Sequence, residues 1–293
     1  MLQETGNTVQ CKYCGSTSVF RCGSYNTVQR YLCRSCRRKF KPDQNAFYMR
    51  VPPEYVARVM EMYYRGFKIT EIKTALKNDF GFNPSRAVLY RWIYNFSDRA
   101  FSYFKNYVPL TGDVWLIGEE IKKIADARYK TYDIIDLKTR FLLATQISRN
   151  RSLVTVKSLY EDAVQKAQKS PNMVTVFMVY SFFDKVKKLF KCQTEHVSML
   201  PKELEYNLEL IEFIVGFYDD RSRLLNRVKK ENIFKKMLDG WNIHYNYLTP
   251  QLRLHGQTPA EAAGIQYPMK SWGNIIVHPG ERDPDNFNNF KTV

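Results

Sequence analysis

The chain has 293 residues, 44% of them hydrophobic and 15% aromatic, enough apolar surface for a real core in two or three small domains. No run reaches the length of a membrane span and the polar start Met1-Leu-Gln-Glu-Thr-Gly is no signal peptide, so membrane and secreted classes are set aside and a cytoplasmic protein is expected. The formal charge of +16 is uneven: residues 1–110 hold 18 Lys/Arg against 7 Asp/Glu, and the rest hold 27 against 22.

A basic amino-terminal third suggests a polyanion as partner, and double-stranded DNA is the usual one. A merely solvated basic surface is the plainer alternative. Five of the six cysteines fall between residues 11 and 36. Cys11-x-x-Cys14 and Cys33-x-x-Cys36 have the spacing of a zinc ribbon, in which each pair forms a knuckle presenting two thiolates to one tetrahedral Zn²⁺. Four thiolates leave no open position for water, so this zinc is structural. A disulfide reading is disfavoured in a cytosolic chain. Cys22 reads as a small apolar residue and Cys192 as structural. Ser18–Arg21 and Gln29–Leu32 read as short strands, with Phe40 capping the ribbon. Arg34, Arg37, Arg38, Lys39 and Lys41, interleaved with aromatic residues, suit phosphate contact. The ribbon is assigned to residues 1–45.

Residues 46–108 read as a helix-turn-helix domain. Pro53 opens a first helix and Gly66 closes it; Ile69–Leu76 is a short second helix; Ser85 caps a third that starts at Arg86. The last helix of such a unit enters the major groove, which makes Arg86, Tyr90, Arg91 and Tyr94 the candidate contacts and leaves Trp92 to packing. An aromatic connector ends at Pro109.

The core is assigned to residues 109–268, followed by a tail, 269–293. Asp113–Lys122 and Met173–Val179 have strand character, Tyr132–Ala144 reads as a two-strand meander turning near Leu137-Lys138, and helices are expected over 152–170 and 203–227. This is an α/β domain with a mixed sheet. Trp241-x-Ile243-His244-Tyr245-Asn246, with Pro250, Leu254, Gly256 and Thr258–Ile265, resembles the DDE transposases of the family-six insertion sequences. The resemblance runs over nearly the whole chain. It implies an RNase H-like (integrase-type) core and a homodimer that pairs two DNA ends.

In that family the equivalents of Gly118 and Phe177 are aspartates, and the third acid aligns with Glu212. Three such carboxylates hold two divalent metals. Gly118 offers no ligand and Phe177 offers a ring. Glu120 shares the face of Gly118 but lies about 6–7 Å further along the strand. Asp133 and Asp136 are expected to serve turns. Catalysis, and with it catalytic Mg²⁺, is therefore expected to be lost. The expected protein is a domesticated, nucleoid-associated DNA-binding dimer. The alternatives are an active transposase with rearranged acids and a protein-interaction scaffold.

Overall fold

The computed structural model describes residues 9–11, 16–25, 28–40, 51–124, 127–177, 182, 185–190, 192–196, 201–225, 228 and 231–277. The chain divides into two compact units, residues 1–51 with 277–293, and 52–276.

In the first unit, β1 (Val19–Tyr25), β2 (Val28–Cys33) and β3 (Lys39–Phe40) form an antiparallel sheet in that order. The β1–β2 register shifts between Arg21 and Ser24, around Gly23 at φ +81°, so the strands run longer than the sequence suggests by absorbing a bulge. Phe40 buries its ring beside Cys11 and Cys33 and so forms part of the core of this small sheet.

The second unit begins with three helices, α1 (Pro53–Tyr64), α2 (Ile69–Phe80) and α3 (Arg86–Phe104). Gly66 turns the chain after α1 at φ +87°. The amide of Lys68 donates to the Glu71 carboxylate at 2.6 Å and starts α2, which runs on past the expected Leu76 to Phe80. The Ser85 hydroxyl accepts from the Val88 amide and caps α3, as expected. Val56, Val59, Met60, Ile72, Leu89 and Ile93 are buried between the three helices.

These helices share one compact unit with the sheet domain. The Tyr64 hydroxyl bonds the Ser97 hydroxyl at 2.5 Å, and a β-carbon at Gly240 would collide with both. Glycine there lets the helix α6 (Glu231–Ile243) lie directly against α3. The stretch assigned to a tail contains a further helix, Trp272–Val277, whose Trp272, Ile275 and Ile276 are buried.

The sheet has the order β6-β5-β4-β7-β8, from β4 (Val114–Ile124), β5 (Ala127–Asp136), β6 (Leu142–Ser148), β7 (Met173–Phe177) and β8 (Gln193–His196). The first three are an antiparallel meander; β7 and β8 run parallel to β4. Helix α4 (Leu153–Ala167) makes the crossover from β6 to β7 and is capped by Ser152, which accepts from the Thr155 amide. The mixed α/β sheet is the one expected. A connection missed in the sequence is the long β4–β5 hairpin, which carries the strands beyond Lys122 and before Tyr132.

Helix α5 (Pro201–Leu225) turns Ile214, Phe217, Arg221, Leu224 and Leu225 inward at helical spacing. Trp241, Tyr245 and Asn246 at the end of α6 are also buried, Asn246 binding both the amide and the carbonyl of Leu142 at 2.9 Å. Thr258 and Glu261 cap the turn that follows. These motif residues thus hold the scaffold together.

Candidate functional site

Strand register sets one row of side chains across the middle of the sheet. Gly118 is paired with Phe177 on one side and Asp133 on the other, and Asp133 is paired with Thr145. Two residues along β4, Glu120 is paired with Thr131, and alternation puts it on the face of Gly118.

Helix α5 fills the space above this row. The Tyr218 hydroxyl lies so close to Gly118 that a β-carbon there would overlap it. One turn on, Arg221 donates to both oxygens of Asp133 at 2.7 Å, to Glu120 at 2.9 Å and to the Thr131 hydroxyl at 3.0 Å. Arg221 and Asp133 are completely buried. Glu120 also accepts from Lys122 at 2.7 Å and from Ser222 at 2.8 Å, and Thr145 donates to Asp133 at 2.8 Å. Two carboxylates face two basic groups, so the cluster balances its own formal charge.

Burial alone would lower the pKa of Arg221, but the charge and hydrogen bonds of Asp133, with Glu120 behind it, outweigh that and hold it above its usual value. Burial, then the negative charge of Asp133, pushes the Tyr218 hydroxyl well above the normal phenol range, so it stays neutral. A bidentate guanidinium–carboxylate pair with its other donors and acceptors bonded is the arrangement in which a buried ion pair survives desolvation.

The three family-aligned positions do not converge. Phe177 lies beside Gly118, half-buried at the end of β7. Glu212 is exposed and pairs with Arg253 at 3.2 Å. The residue of α5 that meets Gly118 is Tyr218, six positions on and about 9 Å further along the helix. Asp133 also departs from expectation: it is not a turn residue but the centre of the buried cluster. The signal was available, since Tyr132, Ile134 and Ile135 make its surroundings apolar and a carboxylate there requires a partner. Asp136 does serve a turn, accepting from the amides of Gly112 and Thr139 at 2.9 Å. Glu119 faces the other side and pairs with Arg151 at 2.9 Å.

In the first unit the sulfurs of Cys11, Cys33 and Cys36 lie within 4.8 Å of one another. The Cys11–Cys36 separation is 3.6 Å, close to the roughly 3.8 Å edge that tetrahedral thiolates 2.3 Å from zinc would make. Arg37, at φ +54°, and the Cys33 amide bonded to the Arg38 carbonyl turn the second knuckle. The three thiols can hold a metal ion. Cys14 and Lys41 lie outside the described residues. Arg34, Arg37, Arg38 and Lys39 are exposed around this knuckle, Arg34 over the Phe20 ring. On α3, Arg86 and Arg91 are exposed, Tyr90 and Tyr94 stack on each other, and Trp92 packs on Phe82.

No family model and no curated protein matches the chain. Among solved structures it is similar to the HTLV-2 integrase catalytic core domain with magnesium, in its trimeric form (12% identity, 53% of this chain and 97% of that one, TM-score 0.34). The dimeric form of that domain gives 12% identity over 52% and 94%, with a TM-score of 0.32. A simian T-cell lymphotropic virus intasome in complex with the PP2A regulatory subunit B56 gamma gives 10% identity over 71% and 75%, with a TM-score of 0.35. Among the described residues, no helix is long and apolar enough to cross a membrane.

Proposed function

We propose that this chain is a DNA-binding protein on an integrase-type transposase scaffold whose metal site has been taken over by its own side chains. The carrying observation is the pair Arg221–Asp133, with Tyr218 against Gly118. A metal pair at this place would have to displace a fully bonded guanidinium and a phenol. The ribbon is a structural zinc module held by Cys11, Cys33, Cys36 and, from its spacing, Cys14. Exposed Arg34, Arg37, Arg38 and Lys39 contact phosphates, and the helix-turn-helix reads bases through Arg86 and Arg91, with Tyr90 and Tyr94 beside them. The protein acts as a nucleoid-associated homodimer on paired half-sites.

A second reading keeps the chain an enzyme. It is favoured by one feature: Glu120 and Asp133 share Arg221, so release of Arg221, together with the Lys122 pairing of Glu120, would free two carboxylates for metal. The experiment measures duplex binding against salt, then cleavage and strand transfer in Mn²⁺ on the bound DNA. Wild type is run beside Glu120→Gln. A binding slope of about −4 to −7 with no product is expected. Metal-dependent product abolished by Glu120→Gln would establish the enzyme reading.

A further inference from the structure

Beyond the sheet, β4 and β5 continue as a two-stranded ribbon. β7 ends its pairing at Gly118 and β6 at Lys130, so the rungs Lys122–Tyr129, Lys123–Arg128 and Ile124–Ala127 pair only with each other. One face of the ribbon is anchored: Tyr129 and Lys122 are buried, and Lys122 bonds Glu120 and Ser222. The other face is presented outward. There Lys123 and Arg128 stand directly opposite each other, both exposed, with Lys130 and the half-exposed Ile121 on the next rung.

Two like charges on one rung repel and weaken a ribbon that has few rungs to spare. Among the described residues neither Lys123 nor Arg128 meets a carboxylate, while Glu119, the acid on this face, is already paired with Arg151. No ion pair among the described residues offsets that repulsion. An anion lying across both strands would turn the repulsion into attraction.

We propose that the outer face of the β4–β5 ribbon is a second phosphate-binding arm, which grips the backbone of duplex DNA through Lys123 and Arg128 with Lys130 beside them. It deepens the DNA-binding reading above and rests on it. Its anchored face makes the arm stiff, so little ordering is required on binding. Side chains that meet only phosphates add affinity without sequence preference.

The test compares the full chain with Lys123→Gln/Arg128→Gln and with the charge-keeping Lys123→Arg/Arg128→Lys, titrating duplex DNA between 50 and 200 mM salt. Losing two phosphate contacts should make the log–log slope shallower by about 1.8, a loss of up to roughly 60-fold at 0.1 M salt. Preference between sequences should not change, the charge-keeping pair should bind like wild type, and the melting temperature of the glutamine pair should be equal or higher. A glutamine pair with the wild-type slope, or a charge-keeping pair that binds as poorly as it, overturns the arm while leaving the DNA reading intact. A wild-type chain with no salt-dependent duplex binding overturns both. If single-stranded RNA, and not duplex DNA, shows the change in slope, the arm is assigned to the wrong polyanion.

Discussion

The cysteine ribbon and the centre of the sheet both crowd acidic groups into a small volume, and they differ in where the balancing cation comes from. In the ribbon three thiols come within 4.8 Å of one another, and the proposed zinc would be drawn from solution. In the sheet Asp133 and Glu120 are balanced by Arg221 and Lys122, which belong to the chain. A dissociable cation makes stability depend on its concentration; a tethered one does not. The sheet, where catalytic metal is expected to be lost, thus carries its cations with it, and the module expected to need metal for shape is the one proposed to depend on supply.

The largest effect should come from removing that supply. Purified protein should contain about one zinc per chain, lost on strong chelation or in Cys33→Ala/Cys36→Ala. Structural zinc carries about 10–16 kcal/mol of apparent binding energy in small modules, so the ribbon strands should unfold. Residues 52–276, with their own core, should keep their cooperative transition. Zinc-free protein with intact ribbon strands, seen by amide exchange, would erase the contrast.

Next in size is Arg221→Met. It leaves Asp133 buried without its counter-charge, at a cost of about 3–5 kcal/mol. Adding Asp133→Asn should recover part of this in a denaturation cycle. Additive losses would mean that the pair is incidental to folding.

The two regions were also unequally readable in the sequence. Cysteine spacing gave three of the four ribbon positions now seen together, and Ser85 and Ser152 gave the starts of α3 and α4, because both signals are local. Apolar runs gave β7 and the inner parts of β4, β5 and β6, whereas the polar β8 and the outer β4–β5 rungs carry no such run. The cluster was missed because Asp133 and Arg221 are 88 residues apart in the chain and Asp133 has an ordinary local use as a turn acid. The inward stripe of α5 was the available clue: an arginine between Phe217 and Leu224 must find a buried carboxylate. Spacing along the chain aligns Glu212 with the third acid but does not say which turn of the helix meets the sheet, and the residue against Gly118 is Tyr218.

A third effect depends on pH. Burial, then the nearby charge of Arg65, pushes the His244 imidazole down to about 4, where its Nδ1 accepts from the Trp272 indole at 3.3 Å. The unfolded chain protonates near 6.5 and the folded one near 4, so stability falls as pH falls through that window, by up to about 3 kcal/mol. Asp239, pushed up to about 6 by burial, works the other way, because the folded chain takes its proton first. His244→Gln keeps an acceptor for Trp272 and removes only the first contribution. The stability of wild type minus that of His244→Gln should fall by up to about 3 kcal/mol from pH 7 to pH 4; parallel curves would mean that His244 titrates normally.

A smaller effect probes how tightly the space over Gly118 is filled. Alanine ordinarily improves a strand glycine, but at Gly118 its methyl meets the Tyr218 hydroxyl, and a net cost of about 1–3 kcal/mol is expected. Most of that cost should disappear on a Tyr218→Phe background, which removes the clashing oxygen. If Gly118→Ala is neutral in the wild type, Tyr218 is free to swing away and the centre is less closed than its geometry implies.

The smallest effect is expected at Glu212, the residue that family spacing marks as the third acid. It is exposed on α5 and its partner Arg253 is half-exposed, so Glu212→Gln should change stability by less than about 1 kcal/mol. The carboxylates of Asp133 and Glu120 are already bonded to Arg221 without it. Duplex affinity and its salt slope should match wild type, because the substitution removes a negative charge from a surface that is not proposed to touch phosphate. A large loss of any metal-dependent activity in this variant would require Glu212 to move about two turns along α5 toward Gly118, displacing Tyr218 and freeing Asp133 from Arg221. The sheet centre would then be a latent metal site held shut by an arginine, and its difference from the ribbon would be one of state.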